Sequence, residues 1–293
     1  MRPPYPVALV PLLPQFLQRR NAKADFPLRA MERCGIDRPA FIFVRDLALA
    51  SPDGARLNEL GNSAYATTDE PIRAAAAVAR DAGLVEQQGP RWTLTAKGRA
   101  LTEELQAAVA AHHASLAPIA NDELQNLAGL LDRAFHACAS AADPAIRGHT
   151  PRALRYRWRP PSSPFALLDA AVYGLWQARD DCHVQAWTDR GLEGPLIDVM
   201  TRVWRREAAT ADELAAKITA QPREDVLDGI GRLRSASFMR ADEPLALTTE
   251  GAVLRERIEA DTDRLFFEPW PDDVGAQAGW LIDRLSAVNA ALD

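Results

Sequence analysis

Cysteine is scarce in this sequence of 293 residues, which holds only Cys34, Cys138 and Cys182. The three are widely separated, and none has the CxxC spacing of a zinc or redox site. An odd number of distant cysteines is typical of reduced thiols in the cytosol rather than of a disulfide framework. We therefore expect a cytoplasmic protein without disulfide bonds.

Long apolar runs are also missing, and none approaches the ~18 residues needed to span a bilayer. The apolar segment at residues 7–17 is interrupted by Pro11 and Pro14 and lacks the small-residue cleavage site of a signal peptide. We expect no membrane partner and no leader.

Known catalytic motifs are absent: there is no GxSxG, no HExxH, no P-loop and no GxGxxG that opens a helix. Asp181 and His183 are two residues apart and do not share a helix face, whereas a metal site needs at least three converging ligands. The favoured interpretation is a buried hydrogen bond between His183 and an aspartate. We expect no catalytic residue, no metal and no cofactor, and an enzyme that uses this region is the least supported function.

Positive charge is not in excess, because 34 Lys and Arg face 40 Asp and Glu, for a net charge of −6. Such a balance gives no overall attraction to DNA, RNA or acidic membranes. Any nucleic-acid surface must therefore be a local patch.

What the sequence does contain is an internal repeat. Residues 92–101 (WTLTAKGRAL) align with residues 245–254 (LALTTEGAVL), so that Thr95 and Gly98 match Thr248 and Gly251. Upstream, three apolar positions align at an offset one residue larger, which a hairpin loop tolerates. These pairs are Leu60 with Leu214, Ile72 with Val226, and Leu84 with Phe238.

Each copy predicts the same order of elements. A short helix (57–64 or 210–218) is followed by a second helix whose first turn holds proline and acids (68–82 or 222–236). Gly83 suits the end of the first of these second helices, and strand-like runs follow at 84–86 and 91–94. Helix, turn, helix and hairpin make a winged helix-turn-helix. The alternative is two unrelated helical hairpins that share a common pattern.

The first copy, residues 38–105, resembles the winged helix of MarR-type regulators. The resemblance rests on IDRPAF at 36–41, SPDG at 51–54, GLV at 83–85 and LTAKGRAL at 94–101. It implies DNA binding, with residues 122–138 as a dimerisation helix. The wing loop is shorter than in that family, and only Arg91 would stand in for its wing arginine.

The second half resembles a winged-helix family of actinobacteria that includes SalK-like proteins and has largely unassigned functions. Five segments carry this resemblance: RDDCHV at 179–184, GLEG at 191–194, LTTEG at 247–251, IEADTDR at 258–264 and FEPW at 267–270. It implies the fold more than any activity.

We therefore predict a mainly α-helical fold with small β-hairpin wings, built as two winged helix-turn-helix units in an intramolecular pseudo-dimer. The first domain (1–140) would hold an N-terminal strap and long helices, and the second (166–293) a C-terminal helix. An Arg/Pro-rich linker (141–165) would join them. The chain would act as a monomer or as a homodimer.

Candidate DNA-contacting arginines fall into two groups. Arg73 and Arg80 share a face of the first recognition helix, and Arg91 lies on its wing. The second copy offers arginines among more acids and is interpreted as a scaffold. The linker supplies Arg147, Arg152, Arg155, Arg157 and Arg159. The last three alternate with Tyr156 and Trp158, a pattern that would suit an extended strand. This segment is either a clamp on the DNA backbone or a tie to surface acids.

A small apolar or aromatic ligand is a further predicted partner. Aromatic residues of the second half would line its pocket: Tyr173, Trp176, His183, Trp187 and Trp204. The sequence thus favours a MarR-like, ligand-responsive regulator that binds double-stranded DNA. The alternative is a winged-helix protein that has lost DNA binding and binds a small molecule or a protein.

Overall fold

The alanine- and leucine-rich segments of this chain form helices, and a computed structural model describes residues 5–50, 53–60, 63–156 and 163–293. The helices begin where polar caps or prolines occur, as at Asp37, Thr95, Ser163 and Thr248. Within the described residues they are α1 Leu12–Arg19, α2 Phe26–Cys34, α3 Arg38–Ala48, α4 Glu70–Asp81, α5 Ala96–Ser115, α6 Asn121–Ser140, α7 Thr150–Tyr156, α8 Pro164–Thr188, α9 Gly194–Trp204, α10 Ala211–Lys217, α11 Arg223–Ser235, α12 Thr249–Phe267, α13 Asp272–Gly275 and α14 Ala278–Leu292. The predicted mainly helical fold is confirmed.

The first predicted wing is an antiparallel hairpin of β1 (Val85–Gln88) and β2 (Arg91–Leu94), in which Val85 pairs with Leu94. Trp92 in β2 is buried and also exchanges both backbone hydrogen bonds with Ala55, at 2.8 and 3.0 Å. The short helix expected at 57–64 takes the form of two 3₁₀ turns, Leu57–Glu59 and Ser63–Tyr65.

The second wing is not a hairpin of two strands. In the described part of the chain it consists of one isolated bridge between Met239 and Leu247, together with a bond from the Arg240 N–H to the Ala246 carbonyl at 2.9 Å. Pro244 in its loop has no N–H to extend a ladder. The Leu245 N–H bonds to the Ala209 carbonyl at 2.8 Å instead. The prediction of two hairpin wings is therefore confirmed for the first copy and wrong for the second.

Three hydrophobic cores hold the described residues together. One lies under α3, α4 and the hairpin, with Phe43 and Trp92 in edge-to-face contact at 5.8 Å. A second lies under α9, α10 and α11, and includes Val226 and Leu233. The third and largest joins α1, α6, α8, the end of α12 and α14. This central core takes residues from both sides of segment 141–165.

Helix α6 is the segment that resembles a dimerisation helix, and its apolar face is buried within the same chain. Its five apolar residues Leu124, Leu127, Leu130, Leu131 and Phe135 are at most 6% exposed. They face α8, where Gly174 lies so close to the Phe135 ring that a Cβ would be 2.6 Å from it. The pairing that the resemblance implies between chains occurs here between two helices of one chain.

The two ends of the described chain meet in the central core. The Asn289 side chain on α14 donates to the Leu12 carbonyl at 3.0 Å, and Arg19 donates to the Asn289 carbonyl at 3.1 Å. Of the helices that the structure describes, none combines the length and the apolar composition of a membrane span.

Candidate nucleic-acid interface and the adjacent arginine cleft

The junction between α4, the hairpin and α5 is fixed by Thr95. Its Oγ1 accepts a hydrogen bond from the Gly98 N–H at 3.1 Å and donates to the Gly83 carbonyl at 2.7 Å. Gly83 has φ of 71°, which only glycine adopts readily. At Gly98 a Cβ would lie 2.0 Å from the Leu84 carbonyl oxygen, so helix and strand touch backbone to backbone.

The same junction recurs in the second copy. Thr248 Oγ1 accepts from the Gly251 N–H at 3.1 Å and donates to the Ser237 carbonyl at 2.6 Å. Ser237, at the place of Gly83, also has a positive φ of 61°. A Cβ at Gly251 would lie 2.0 Å from the Phe238 carbonyl oxygen. The aligned threonines and glycines of the sequence therefore hold equivalent backbone contacts.

On α4, the two predicted DNA-contacting arginines are exposed and paired only with neighbours on their own helix or next to it. Arg73 lies 3.8 Å from Asp69, and Arg80 bonds to Asp81 at 3.1 Å. Their side chains are 68% and 53% exposed. Exposed pairs of this kind contribute about 1 kcal/mol at most, so a phosphate could replace either carboxylate.

On α11, the arginines contact other elements instead. Arg223 bonds to Asp212 of α10 at 2.5 Å, and Arg232 to Glu193 before α9 at 3.0 Å. Arg234 Nε donates to the Arg240 carbonyl of its own wing at 3.1 Å. Their partners therefore lie on other segments of the same unit, although Arg223 and Arg232, at 63% and 49%, are about as exposed as the arginines of α4.

Arg91 is the first residue of β2 and pairs with Gln88 beside the turn, so it lies at the tip of the hairpin. Its guanidinium donates to the carbonyls of Asp53 and Gly54, at 3.2 and 2.5 Å, and lies 3.7 Å from the Glu59 carboxylate. The side chain therefore ties the wing to the segment that enters the helix-turn-helix.

The linker arginines do not follow the predicted extended strand where the structure describes them. Arg152, Arg155 and Tyr156 belong to helix α7, so the strand prediction is wrong for Arg155 and Tyr156. Asp181 on α8 explains the helix, because its buried carboxylate accepts bonds from the N–H groups of Gly148, His149 and Thr150 at 2.7 to 2.9 Å. No local pattern around residues 148–150 predicts this long-range cap.

The last two linker arginines, Arg157 and Arg159, lie outside the described residues, as does Trp158. At the end of the described helix, Arg155 Nε donates to the Leu49 carbonyl at the C-terminal end of α3. Tyr156 donates to Asp169 at 2.5 Å. The segment is therefore attached both to the first winged unit and to α8.

Three of the predicted arginines, Arg91, Arg152 and Arg155, line one cleft of about 490 Å³. The cleft lies between the entry to the first helix-turn-helix, the tip of its hairpin, α7 and α8. Arg147 and His149 also line it, and its carboxylates are Glu59 and Asp181. Arg73 and Arg80 on α4 lie outside it.

The predicted aromatic ligand pocket is dispersed over two cores. Tyr173 packs against Tyr156 in a tilted arrangement with ring centroids 4.6 Å apart, and Trp176 packs against the central core. Trp187 belongs to the core of the second unit, while Trp204 is 38% exposed and lies 5.1 Å from the Arg255 guanidinium. None of these residues lines the arginine cleft.

His183 contacts a hydroxyl rather than a carboxylate. Its Nδ1 lies 3.1 Å from Thr262 Oγ1 on α12, so the predicted His–Asp bond is wrong. Asp181 is one of the aspartates near His183 in sequence. Its carboxylate instead accepts hydrogen bonds from backbone N–H groups at the start of α7. Burial lowers the pKa of His183 to about 4.

An ionic network between α8 and α12 was not predicted. Arg179 bonds to Glu259 and Asp263 at 2.9 and 3.0 Å, and Arg255, only 1% exposed, bonds to Glu259 at 2.5 Å. Although burial opposes the shift, Arg255 and Arg179 lower the pKa of Glu259 to about 2. The network joins the long helix α8 to the second unit.

The order α10, turn, α11 defines a helix-turn-helix protein. Residues 105–293, nearly two thirds of the chain, match a helix-turn-helix family, and the chain belongs to this family. The match includes α6, α8 and the second unit, whereas α4 and the hairpin precede it. No curated protein and no solved structure matches the chain.

Proposed function

We propose that the protein is a DNA-binding transcriptional regulator of MarR-like type, in which two winged helix-turn-helix units of one chain form a pseudo-dimer. The observation that carries this proposal is the recurrence of the same backbone junction at Thr95 and Gly98 and at Thr248 and Gly251. Family membership supports the DNA-binding function. Domains 1–140 and 166–293, joined by 141–165, are the proposed units.

In this proposal the first unit contacts DNA and the second has a structural role. Helix α4 enters a major groove, where Arg73 and Arg80 contact phosphates and base edges. Helix α11 keeps its arginines on internal partners and supports the second unit. Arg157 and Arg159 extend the interface along the DNA backbone.

A second candidate function is a winged-helix module that binds a small molecule or a protein without DNA. The acids on both recognition helices favour it, since Asp69, Glu70 and Asp81 flank the arginines of α4. On α11 the acids Glu224 and Asp225 occupy the first turn. Carboxylates at these places repel phosphates.

The two functions are distinguished by a fluorescence anisotropy titration with DNA from the region upstream of the coding sequence. For a regulator, affinity for this DNA exceeds that for random DNA by ~10³-fold or more and falls steeply between two salt concentrations. Arg73→Glu and Arg80→Glu should each weaken binding ~10-fold or more.

The matched control is Arg223→Glu on α11, which changes the net charge equally. It should leave the affinity within ~3-fold, because in this proposal α4 and not α11 enters the major groove. Binding no tighter than to random DNA, or equal losses in all three variants, would contradict DNA recognition by α4.

A further inference from the structure

We infer that the arginine cleft between the first helix-turn-helix and α7 is a binding site for a small organic anion, a carboxylate or phosphate with a compact apolar body. The inference about binding stands apart from DNA recognition. Only its regulatory consequence, given below, rests on the proposed function.

The charge of the cleft is opposite to that of the protein. Four arginines line it (Arg91, Arg147, Arg152 and Arg155) against two carboxylates, in a chain whose net charge is −6. The Asp181 carboxylate is already satisfied by three backbone N–H groups, and Glu59 accepts the Arg56 N–H at 3.1 Å. A concave surface with excess positive charge concentrates field lines and attracts anions.

Two of these arginines are held in position while keeping donors. A guanidinium has five N–H donors. Carbonyls of Asp53 and Gly54 take two from Arg91, and the Leu49 carbonyl takes one from Arg155. Donors that are ordered before the ligand arrives reduce the entropy lost on binding.

Arg147 has a structural role in the cleft rather than a direct contact with the proposed anion. Its guanidinium donates to the carbonyls of Cys138, Ala139 and Ala141 at the end of α6. It therefore closes one wall of the cleft and contributes charge, while Arg91, Arg152 and Arg155 supply the contacts to the anion.

The arginines of α7 also repel one another. Partial burial and the nearby charge of Arg152 lower the pKa of Arg155. An anion between the two guanidiniums would relieve this repulsion, and bidentate contacts from arginine suit both carboxylate and phosphate.

The rest of the lining determines the size and body of the ligand. Small apolar side chains form it: Ala50, Ala55, Ala64, Ile146, Pro151 and Val184. A volume of about 490 Å³ lies in the range of small-molecule sites, ~300–1,000 Å³. A ligand with a charged head would meet the arginines, and a compact ring or short alkyl group beside that head would meet the apolar side chains.

The position of the cleft gives binding a consequence for the proposed regulator. Gly54 and Asn58 belong to the segment that leads into the first helix-turn-helix, and Arg91 to the tip of its hairpin. An anion that contacts both these residues and α7 would hold the first unit in one position against the central helices. The ligand would then change the affinity of α4 for DNA.

Isothermal titration calorimetry of the full chain tests the site with phenyl phosphate and benzoate as probes. Inorganic phosphate lacks the apolar body, and phenol lacks the charge. We expect one site per chain for at least one of the two organic anions. Arg152→Gln should weaken it ~10-fold or more, and Arg152→Lys, which keeps the charge but loses the bidentate geometry, should weaken it less than Arg152→Gln does.

Arg264→Gln is the matched control, because it removes one exposed arginine of α12 that lies outside the cleft. It should leave affinity within ~2-fold. The inference is overturned if neither organic anion binds, if Arg152→Gln binds as wild type, or if inorganic phosphate or phenol binds as well as the organic anions. Anion binding without DNA recognition would uphold the site and reject only the proposed function.

Discussion

Gly98 lies against Leu84 so closely that a Cβ on the glycine would be 2.0 Å from the leucine carbonyl oxygen. Gly251 has the same relationship to Phe238. Since backbone is in contact with backbone, neither partner can move aside as a flexible side chain would. These two contacts fix the angle at which α5 and α12 leave their winged units.

Alanine at either glycine should therefore destabilise the protein. We expect Gly98→Ala and Gly251→Ala each to lower the free energy of unfolding by ~2 kcal/mol or more, because the clash forces helix and strand apart. Urea denaturation followed by circular dichroism measures this. The controls are Gly129→Ala and Gly231→Ala, helical glycines with nothing within 4 Å of the added Cβ. These should be neutral or stabilising by up to ~1 kcal/mol, and equal effects at all four positions would contradict the backbone contact.

Asp181→Asn should unfold α7 locally and lower stability by about 1–3 kcal/mol. The asparagine amide has one acceptor oxygen and no charge, whereas the carboxylate accepts from three N–H groups through both oxygens. Hydrogen exchange of the amides at residues 148–152 would report the loss of the cap. Asp189→Asn, at an exposed position after α8, is the control. Unchanged protection at residues 148–152 would count against Asp181 as the cap.

The free energy of unfolding should decrease as the pH is lowered, partly because of His183. Its folded pKa of about 4 lies below the ordinary 6.5, so the unfolded chain binds the proton first. The contribution of His183 is complete above pH 6.5 and is lost as pH falls toward 4, by ~3 kcal/mol. Asp180 acts in the opposite sense, because burial raises its pKa to about 7.

The comparison of wild type with His183→Gln isolates the histidine, since Asp180 is present in both. The difference in unfolding free energy between the two proteins should change by ~2–3 kcal/mol between pH 7 and 4.5. Parallel pH profiles would show that His183 does not titrate differently on folding.

Glu259→Gln should be the most damaging substitution in the ionic network of α8 and α12. It leaves Arg255, which is 1% exposed, without its carboxylate, and weakens the pairing of Arg179. The loss of one partner of a buried ion pair costs ~3–5 kcal/mol. Glu268→Gln, which removes the exposed ion pair with Arg264, should lower the free energy of unfolding by ~0.5 kcal/mol or less. Similar losses in thermal melts of the two variants would reject the buried network.

Local chemistry explains what the sequence could predict. Threonine is a favoured N-cap residue where a strand-like run gives way to a helical one, and Thr95 and Thr248 located both helix starts correctly. Gly83 likewise marked the end of α4, with the positive φ that the turn requires. These signals act within a few residues and do not depend on the rest of the fold.

The errors came from interactions over long distances in sequence. Arg155 and Tyr156 look like a strand by alternation, but Asp181, far along the chain, caps α7. In the second wing, Pro244 has no N–H for a strand pairing, and the Leu245 N–H bonds to the Ala209 carbonyl instead. The convergence of Arg91 with Arg152 and Arg155 in one cleft likewise follows from tertiary packing, which no spacing along the chain encodes.

Helix α6 packs on α8 inside one chain, so this contact does not depend on protein concentration. A regulator made from two identical chains loses its paired form on dilution, because association depends on concentration. In the proposed pseudo-dimer, the effective concentration of one helix for the other would be set by the covalent connection between them. The two proposed units would also be released from the symmetry of an isologous interface, so each could change its surface without imposing the same change on the other.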